Sequence, residues 1–281
     1  MKKKIFYGIC VMILAACTER AADEITVISR EDGSGTRSSF IELFGIAEKD
    51  AHGKLVDYTV DTADITNSTA VVITSVADNK RAVGYISLGA LSSTVRALAI
   101  DGAMPSEDTI LDGSYQISRP FNIVVRQELS PAAQDFITFI LSPTGQAVVR
   151  ETGYVPVEES EPPYAGTFAA GRVVVAGSSS VTPLMEKLKE AYMTYNTNAA
   201  IEIQQSDSTM GINNTISGIA EIGMASRELN ASERTQGLRS IVIAFDGIAI
   251  IVNTENPVEE LSREQVRAIY KGDVTAWQEL R

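Results

Sequence analysis

The chain has 281 residues, of which 44% are hydrophobic, enough for a substantial core in one large domain or two lobes of ordinary size. Its 24 basic and 36 acidic residues give a formal charge of -12, which argues against nucleic acid as a partner, because nucleic-acid binders usually present a basic face. The only histidine, His52, lies in a polar loop context and reads as a solvated surface residue, so a Ser-His-Asp triad or a metal site built on two histidines is excluded or strained.

In chain order, Lys2, Lys3 and Lys4 precede an apolar stretch over 5–14 that is too short for a stable bilayer anchor, the pattern of a signal peptide. It ends in Leu14-Ala15-Ala16-Cys17, which resembles a bacterial lipobox. Residues 1–16 are then a lipoprotein signal peptide, Cys17 the lipid anchor and 17–24 a tether; the alternative is an ordinary signal peptide with a chance cysteine. Cleavage would leave 21 basic residues against 36 acidic ones. With Cys10 removed and Cys17 acylated, no disulfide framework, cysteine zinc site or thiol nucleophile remains.

The mature part alternates strand-like and helix-like pieces. A short apolar strand is predicted over 25–28 and a helix over 38–44. Residues 70–76 suggest a helix, 82–86 a strand and 121–125 another strand. Ser130-Pro131 opens a helix with a capping residue and proline at the first helical position. Residues 158–171, with Pro162, Pro163, Gly166 and Gly171, read as a connector, after which the pattern restarts. A strand at 173–175, a helix over 183–195 and a strand around Ile201 and Ile203 follow. Residues 241–243 and 247–252 form one long apolar segment interrupted at Asp246, and 264–270 is a last helix. This alternation predicts α/β architecture with mostly parallel sheets.

Three loops share one design: ISREDGSGTRSSF over 28–40, AGSSSVTP over 176–183 and QQSDSTMG over 204–211. Each follows a strand, opens a helix and is rich in glycine and hydroxyls. A helix start carries unpaired N–H groups and a partial positive charge, and small residues let an anion approach the backbone. One such loop is explained by helix capping alone. Three together, one holding Arg30, point to a site for a tetrahedral oxyanion. Neither a GxSxG elbow nor a GxxxxGK[ST] phosphate loop is present in GSSSV or GSGTR, which leaves a serine-based hydrolase the weaker reading.

The segments AGSSSVTPLMEKLKEAY, GIAEIGMASRELNASE, FDGIAIIVNTENPVEELSREQVRAIYKGDVTAWQEL, ISREDGSGTRSSF, RAVGYISLGAL and FILSPTGQAVVRETGYVPV resemble those of the phosphate-binding protein of Pst-type ABC transporters, over nearly the whole mature chain. The order differs from that family: its usual first segment, AGSSSVTP, comes here after its usual C-terminal one. The resemblance therefore implies a two-lobed type II periplasmic-binding-protein-like fold in circularly permuted order, with the ligand cleft between the lobes. One lobe would be continuous over 118–245 and the other discontinuous over 25–117 and 246–281, with 157–172 joining the usual termini. Unequal fusion of tandem copies, whose halves could pair between chains, is the competing origin.

By the same resemblance, Arg30, Ser34, Gly35, Thr36, Ser179, Ser180 and Ser208 bind the anion, and Asp32 orients Arg30. The best-known members place an aspartate after the GAS-like turn to accept a phosphate proton, and here Arg227 stands there. Asp246 is the candidate replacement, or else a hinge hydrogen-bond acceptor; Arg227 contacts the anion or forms a salt bridge. For Ser178, Thr182, Thr209 and Ser38, capping a helix or facing water stands as the alternative to an anion contact. The implied function is an extracytoplasmic lipoprotein that captures inorganic phosphate, without a cofactor or metal, and delivers it to an ABC permease. The alternatives are a sulfate-like oxyanion binder and a non-transport phosphate sensor.

Overall fold

A computed structural model describes residues 24–50, 55–157 and 163–280. The signal segment 1–16, the Cys17 anchor, the tether up to residue 23, His52 and residues 158–162 of the connector lie outside the described residues.

The chain begins with β1 (Thr26–Arg30), α1 (Gly35–Leu43), β2 (Ala47–Lys49), β3 (Leu55–Asp57), β4 (Asp64–Thr66), α2 (Thr69–Ala77) and β5 (Ala82–Ser87). Next come β6 (Val95–Ala97), β7 (Ala99–Ile100), α3 (Glu107–Leu111), β8 (Ser118–Val125), α4 (Pro131–Leu141), α5 (Pro143–Glu151) and β9 (Val155–Pro156). Past the connector lie β10 (Gly171–Ser178), α6 (Thr182–Tyr195), β11 (Ala199–Ser206), α7 (Ser208–Ile216), β12 (Ile222–Ala225) and α8 (Ala231–Arg234). The last elements are β13 (Arg239–Asn253), β14 (Glu260–Leu261) and α9 (Arg263–Lys271). Among these described residues no helix is long and apolar enough to cross a membrane.

One sheet runs through the molecule in the order β11-β10-β12-β8-β13-β5-β1-β4, with β6 and β9 also pairing on β13. The pairs β1–β4, β1–β5, β10–β11 and β10–β12 are parallel, joined through helices as the alternation implies. Every pairing made by β8 and β13 is antiparallel. The expectation of mostly parallel sheets is thus corrected to a mixed one. Alternation reports only strands linked by helical crossovers, whereas β8 and β13 run between two sheet halves and insert against the local direction. Asp246 does not interrupt its segment either: β13 is a continuous 15-residue strand with a register shift between Val242 and Ala244.

Apolar burial divides the molecule in two. One set of core clusters, including Phe121, Phe136, Val175, Leu188 and Ile222, draws its buried members from between residues 121 and 244. The other, with Ile25, Phe40, Val72, Tyr85, Ile250 and Trp277, draws them from residues 25–117 and 248–277. Each set gains its stability from apolar surface removed from water, roughly 1.5–3 kcal/mol per large buried side chain. The two groups are called lobe I (containing β1) and lobe II (containing β10) below; β8 and β13 pass between them.

Within lobe I the Phe40 ring stacks on Tyr85 at 3.9 Å and meets Tyr270 edge-on at 4.6 Å, which fixes α1 on the sheet. In lobe II the chain returning from the connector is clamped by Asp135. This buried carboxylate accepts from Thr167 N–H at 2.6 Å, Tyr192 Oη at 2.8 Å, Tyr164 Oη at 2.9 Å and Asn196 Nδ2 at 3.3 Å.

Candidate functional site

β1 delivers Arg30 to the end of the lobe I sheet. Its backbone N–H donates to Tyr85 Oη at 3.1 Å, and Tyr270 Oη donates to the Ile28 carbonyl at 3.1 Å, so the strand end is fixed before the side chain begins. The guanidinium is buried, with Nε and Nη2 each donating to the Glu31 carboxylate at 2.8 Å. Nη2 also donates to Ser179 Oγ of lobe II at 3.1 Å, and Nη1 to Thr69 Oγ1 at 3.4 Å.

The role assigned to Asp32 is therefore corrected: Glu31 orients Arg30. The longer Glu31 side chain reaches back to grip the guanidinium with both oxygens, a geometry that suits the planar fork. Asp32 turns outward, 97% exposed, and pairs with Arg37 at 3.1 Å. Arg37 is itself held by Asp57 at 2.9 Å and by the Arg30 carbonyl at 2.6 Å.

Ser34 caps α1, its side chain accepting from Arg37 N–H at 3.3 Å, so Gly35 and Thr36 open the helix. The first N–H groups of a helix have no intrahelical partner and point along the axis out of its start. Thr36 Oγ1 lies 2.8 Å from Ser180 Oγ across the lobes, and Thr69 Oγ1, at the start of α2, lies 3.2 Å from the same oxygen. Ser178 Oγ donates to Ser226 Oγ at 3.0 Å, and Ser208 Oγ is 3.4 Å from Ser226 Oγ while accepting from Ser226 N–H at 3.1 Å.

Gly35 is what lets the lobes approach. A Cβ there would stand 2.4 Å from Ser208 Oγ and 2.6 Å from Ser226 Oγ. Gly33 plays the same part toward Asp207, the cap of α7, at 2.4 Å. Its carbonyl accepts from the Thr209 N–H at 3.2 Å. Arg30, Ser34, Gly35, Thr36, Ser179, Ser180 and Ser208 are thus brought together, all buried, at strand-to-helix corners of both lobes.

Three cluster residues escaped the sequence reading, Glu31, Thr69 and Ser226, as did Arg119, which lies behind them on the Ser226 carbonyl. Thr69 follows β4 in the hydroxyl-rich run Asn67-Ser68-Thr69, the same corner signal as the other loops. Nothing in the sequence separates Glu31 from its neighbour Asp32 as the partner of Arg30.

Asp246 is not among the cluster hydroxyls. Oδ1 accepts from Ser87 Oγ at 2.8 Å and Leu88 N–H at 3.1 Å, and Oδ2 from Arg119 Nη2 at 3.0 Å and Nε at 3.2 Å. Of the two roles open to Asp246, this placement matches the hinge one: Oδ1 is taken by Ser87 and Leu88 at the end of β5 and Oδ2 by Arg119 of β8. Burial pushes its pKa up to about 6 even though Arg119 and Ser87 favour the carboxylate. Arg227 makes a two-pronged salt bridge to Glu233 at 2.8 Å and donates to Thr209 at 3.0 Å. Ser38 and Thr182 make local hydrogen bonds, to the carbonyls of Ser34 at 3.2 Å and Ser178 at 3.0 Å, whereas the Thr209 hydroxyl crosses the lobes and donates to the Gly33 carbonyl at 3.2 Å.

Two α/β lobes joined by antiparallel crossing strands, with a buried ring of hydroxyls and a guanidinium between them, define a two-lobed type II solute-binding fold. Residues 18–144 and 162–281 match the PBP superfamily domain. The chain is 50% identical to the phosphate-binding protein PstS 2 of Streptococcus agalactiae, over 95% of this chain and 93% of that protein. It is 43% identical to the phosphate-binding protein PstS 2 of Streptococcus pneumoniae over 95% of this chain and 91% of that one. The crystal structure of a phosphate ABC transporter phosphate-binding protein from Streptococcus pneumoniae superposes with a TM-score of 0.72 at 44% identity, covering 92% of this chain and all of that one. This chain accordingly belongs to the PBP superfamily and, within it, to the PstS phosphate-binding proteins. One alignment running through 273 residues means that its order of segments is shared with the PstS 2 relative.

Proposed function

We propose that the chain captures inorganic phosphate between its lobes, outside the cytoplasm, and passes it to the permease of an ABC transporter. One observation carries the reading: Arg30 and Thr36 of lobe I lie 3.1 and 2.8 Å from Ser179 and Ser180 of lobe II. A tetrahedral dianion offers acceptors in every direction, and hydroxyls that now bond one another can turn their hydrogens to it. Helix starts at Gly35 and Ser208 add N–H groups and a favourable dipole. Relatives at 50% and 43% identity carry phosphate binding in their names, which favours phosphate over a sulfate-like ligand.

Because the donors come from both lobes, the anion meets its full set only when they close. Binding free energy then favours the closed form over the open one, and the permease reads that form. No covalent step is required, so the chain acts as a carrier and not as an enzyme. Acylated Cys17 with the tether 17–24 would hold it at the membrane surface. The segment order is read as a circular permutation, in which 157–172 joins ends that are free elsewhere; the separate cores of the two lobes support it, since such a change spares core packing.

Calorimetric titration of lipid-free protein with phosphate, sulfate and arsenate tests the reading. Phosphate should bind tightly and saturably with one site per chain. Arg30→Ala should weaken it on the order of a hundredfold, the scale of roughly 3 kcal/mol for a buried charge-assisted contact. Unchanged phosphate binding by Arg30→Ala would remove Arg30 from the site, and turnover of phosphate esters would favour the hydrolase.

A further inference from the structure

Arg119 and Asp246 occupy opposite positions on β8 and β13, the strands that pass between the lobes. Their side chains are 2% and 0% exposed, so the pair is sealed from solvent. Asp246 is anchored on the lobe I side by Ser87 Oγ and Leu88 N–H. Arg119 spends Nε and Nη2 on Asp246 and turns Nη1 to the Ser226 carbonyl of lobe II at 3.3 Å. Ser226 is the residue whose N–H and hydroxyl meet Ser208 and Ser178. The guanidinium therefore lies one residue beneath the oxyanion cluster, near enough to Arg30 for the two cations to act on each other.

Each cation has one carboxylate, Glu31 on Arg30 and Asp246 on Arg119, so this group of four is formally neutral. The carboxylates differ in access: Glu31 is 23% exposed, whereas Asp246 is enclosed and unscreened by salt. A buried ion pair adds little net stability over an apolar pair of the same shape. Stability alone therefore gives no reason for one where the hinge meets the anion corner.

We infer that the Arg119–Asp246 pair sets the charge balance of the oxyanion cleft. Arg119 acts as a second cation behind the Ser226 corner, and Asp246 is the enclosed counter-charge that limits how strongly and how broadly the cleft attracts anions. The inference rests on the cleft being the phosphate site. Neutralising Asp246 alone would leave Arg119 uncompensated and strengthen anion binding, the opposite of what damage to a structural hinge would do.

The test is calorimetric titration with phosphate and with sulfate at about pH 7.5, above the value of about 6 for Asp246. Asp246→Asn should tighten phosphate binding several-fold, on the order of ten, and raise sulfate binding as well. Asp246→Ser carries the same charge change with room for water beside Arg119, and serves if the asparagine variant does not fold. The double variant Arg119→Met/Asp246→Asn should return to within about threefold of the wild type, since it removes the excess charge. Weaker or unchanged phosphate binding in the folded neutral variant, or a double variant that stays tighter than the wild type or falls tenfold or more below it, would overturn the inference. Failure of the wild type to bind phosphate would instead defeat the functional reading itself.

Discussion

Gly35→Ala is expected to separate lobe closure from folding. The added methyl meets Ser208 Oγ at 2.4 Å and Ser226 Oγ at 2.6 Å, about 1 Å inside ordinary contact. Both contacts belong to lobe II, while Gly35 opens a helix of lobe I. Neither lobe is disturbed by itself, and alanine is the better helix former by up to about 1 kcal/mol. The two serine hydroxyls can turn away only by leaving their partners in the cluster, and the Ser226 backbone carbon, 3.1 Å from the same methyl, cannot turn away at all, so relief comes from the lobes standing apart. That stretches Thr36–Ser180 from 2.8 Å, Arg30–Ser179 from 3.1 Å and Thr69–Ser180 from 3.2 Å, and spoils the same donors for a shared anion. At about 1 kcal/mol for each contact, the loss is roughly 2–3 kcal/mol, or thirty- to a hundredfold in phosphate affinity. Calorimetry should show that loss, thermal unfolding without phosphate should stay close to the wild type, and small-angle scattering should report a more open particle that phosphate no longer compacts. Wild-type affinity together with wild-type compaction would mean that the corners do not need this approach.

Thr69→Val removes one partner of both Arg30 and Ser180 and should weaken phosphate binding roughly five- to tenfold in the same titration. Asp32→Ala should leave affinity within about twofold, since its exposed carboxylate only pairs with Arg37. Asp135→Asn should lower stability by about 2–3 kcal/mol, seen as several degrees in Tm, without altering phosphate affinity. Burial alone would raise the Asp135 pKa, but donors from Thr167, Tyr192 and Tyr164 outweigh it and hold the carboxyl below its ordinary value. Its contribution is therefore present above the unfolded value near 4 and lost as pH falls through the lower folded one, so the wild-type advantage over Asp135→Asn in Tm should shrink on acidification below about pH 4.

The three anion corners were legible because each is a local pattern: a strand, a run of small hydroxyl residues, a helix start. Of the two arginines in the first run, Arg30 stood out because it sits at the strand end, ahead of the helix that carries Arg37. What was not legible depends on side chains meeting over long separations. Ser226 follows β12 with no helix cap to advertise it, and Arg119 joins it from 107 residues away. Glu31 and Asp32 differ by a methylene and one position, yet only three-dimensional direction decides which grips Arg30. Asp246 looked like a break because a charge in an apolar run usually ends a strand. Its pairing partner, opposite on β8, keeps the strand continuous. The sheet came out mixed because strand direction at a lobe crossing leaves no local mark in hydropathy.

Donors from both lobes are proposed to wrap one phosphate. This is tested most directly by titrating phosphate into the wild type, into Thr36→Val of lobe I and into Ser180→Ala of lobe II, with particle size followed in parallel. The wild type should bind at a single site and become more compact, and each variant should bind more weakly with reduced compaction. Tight phosphate binding that survives in either variant with its compaction unchanged would contradict such wrapping.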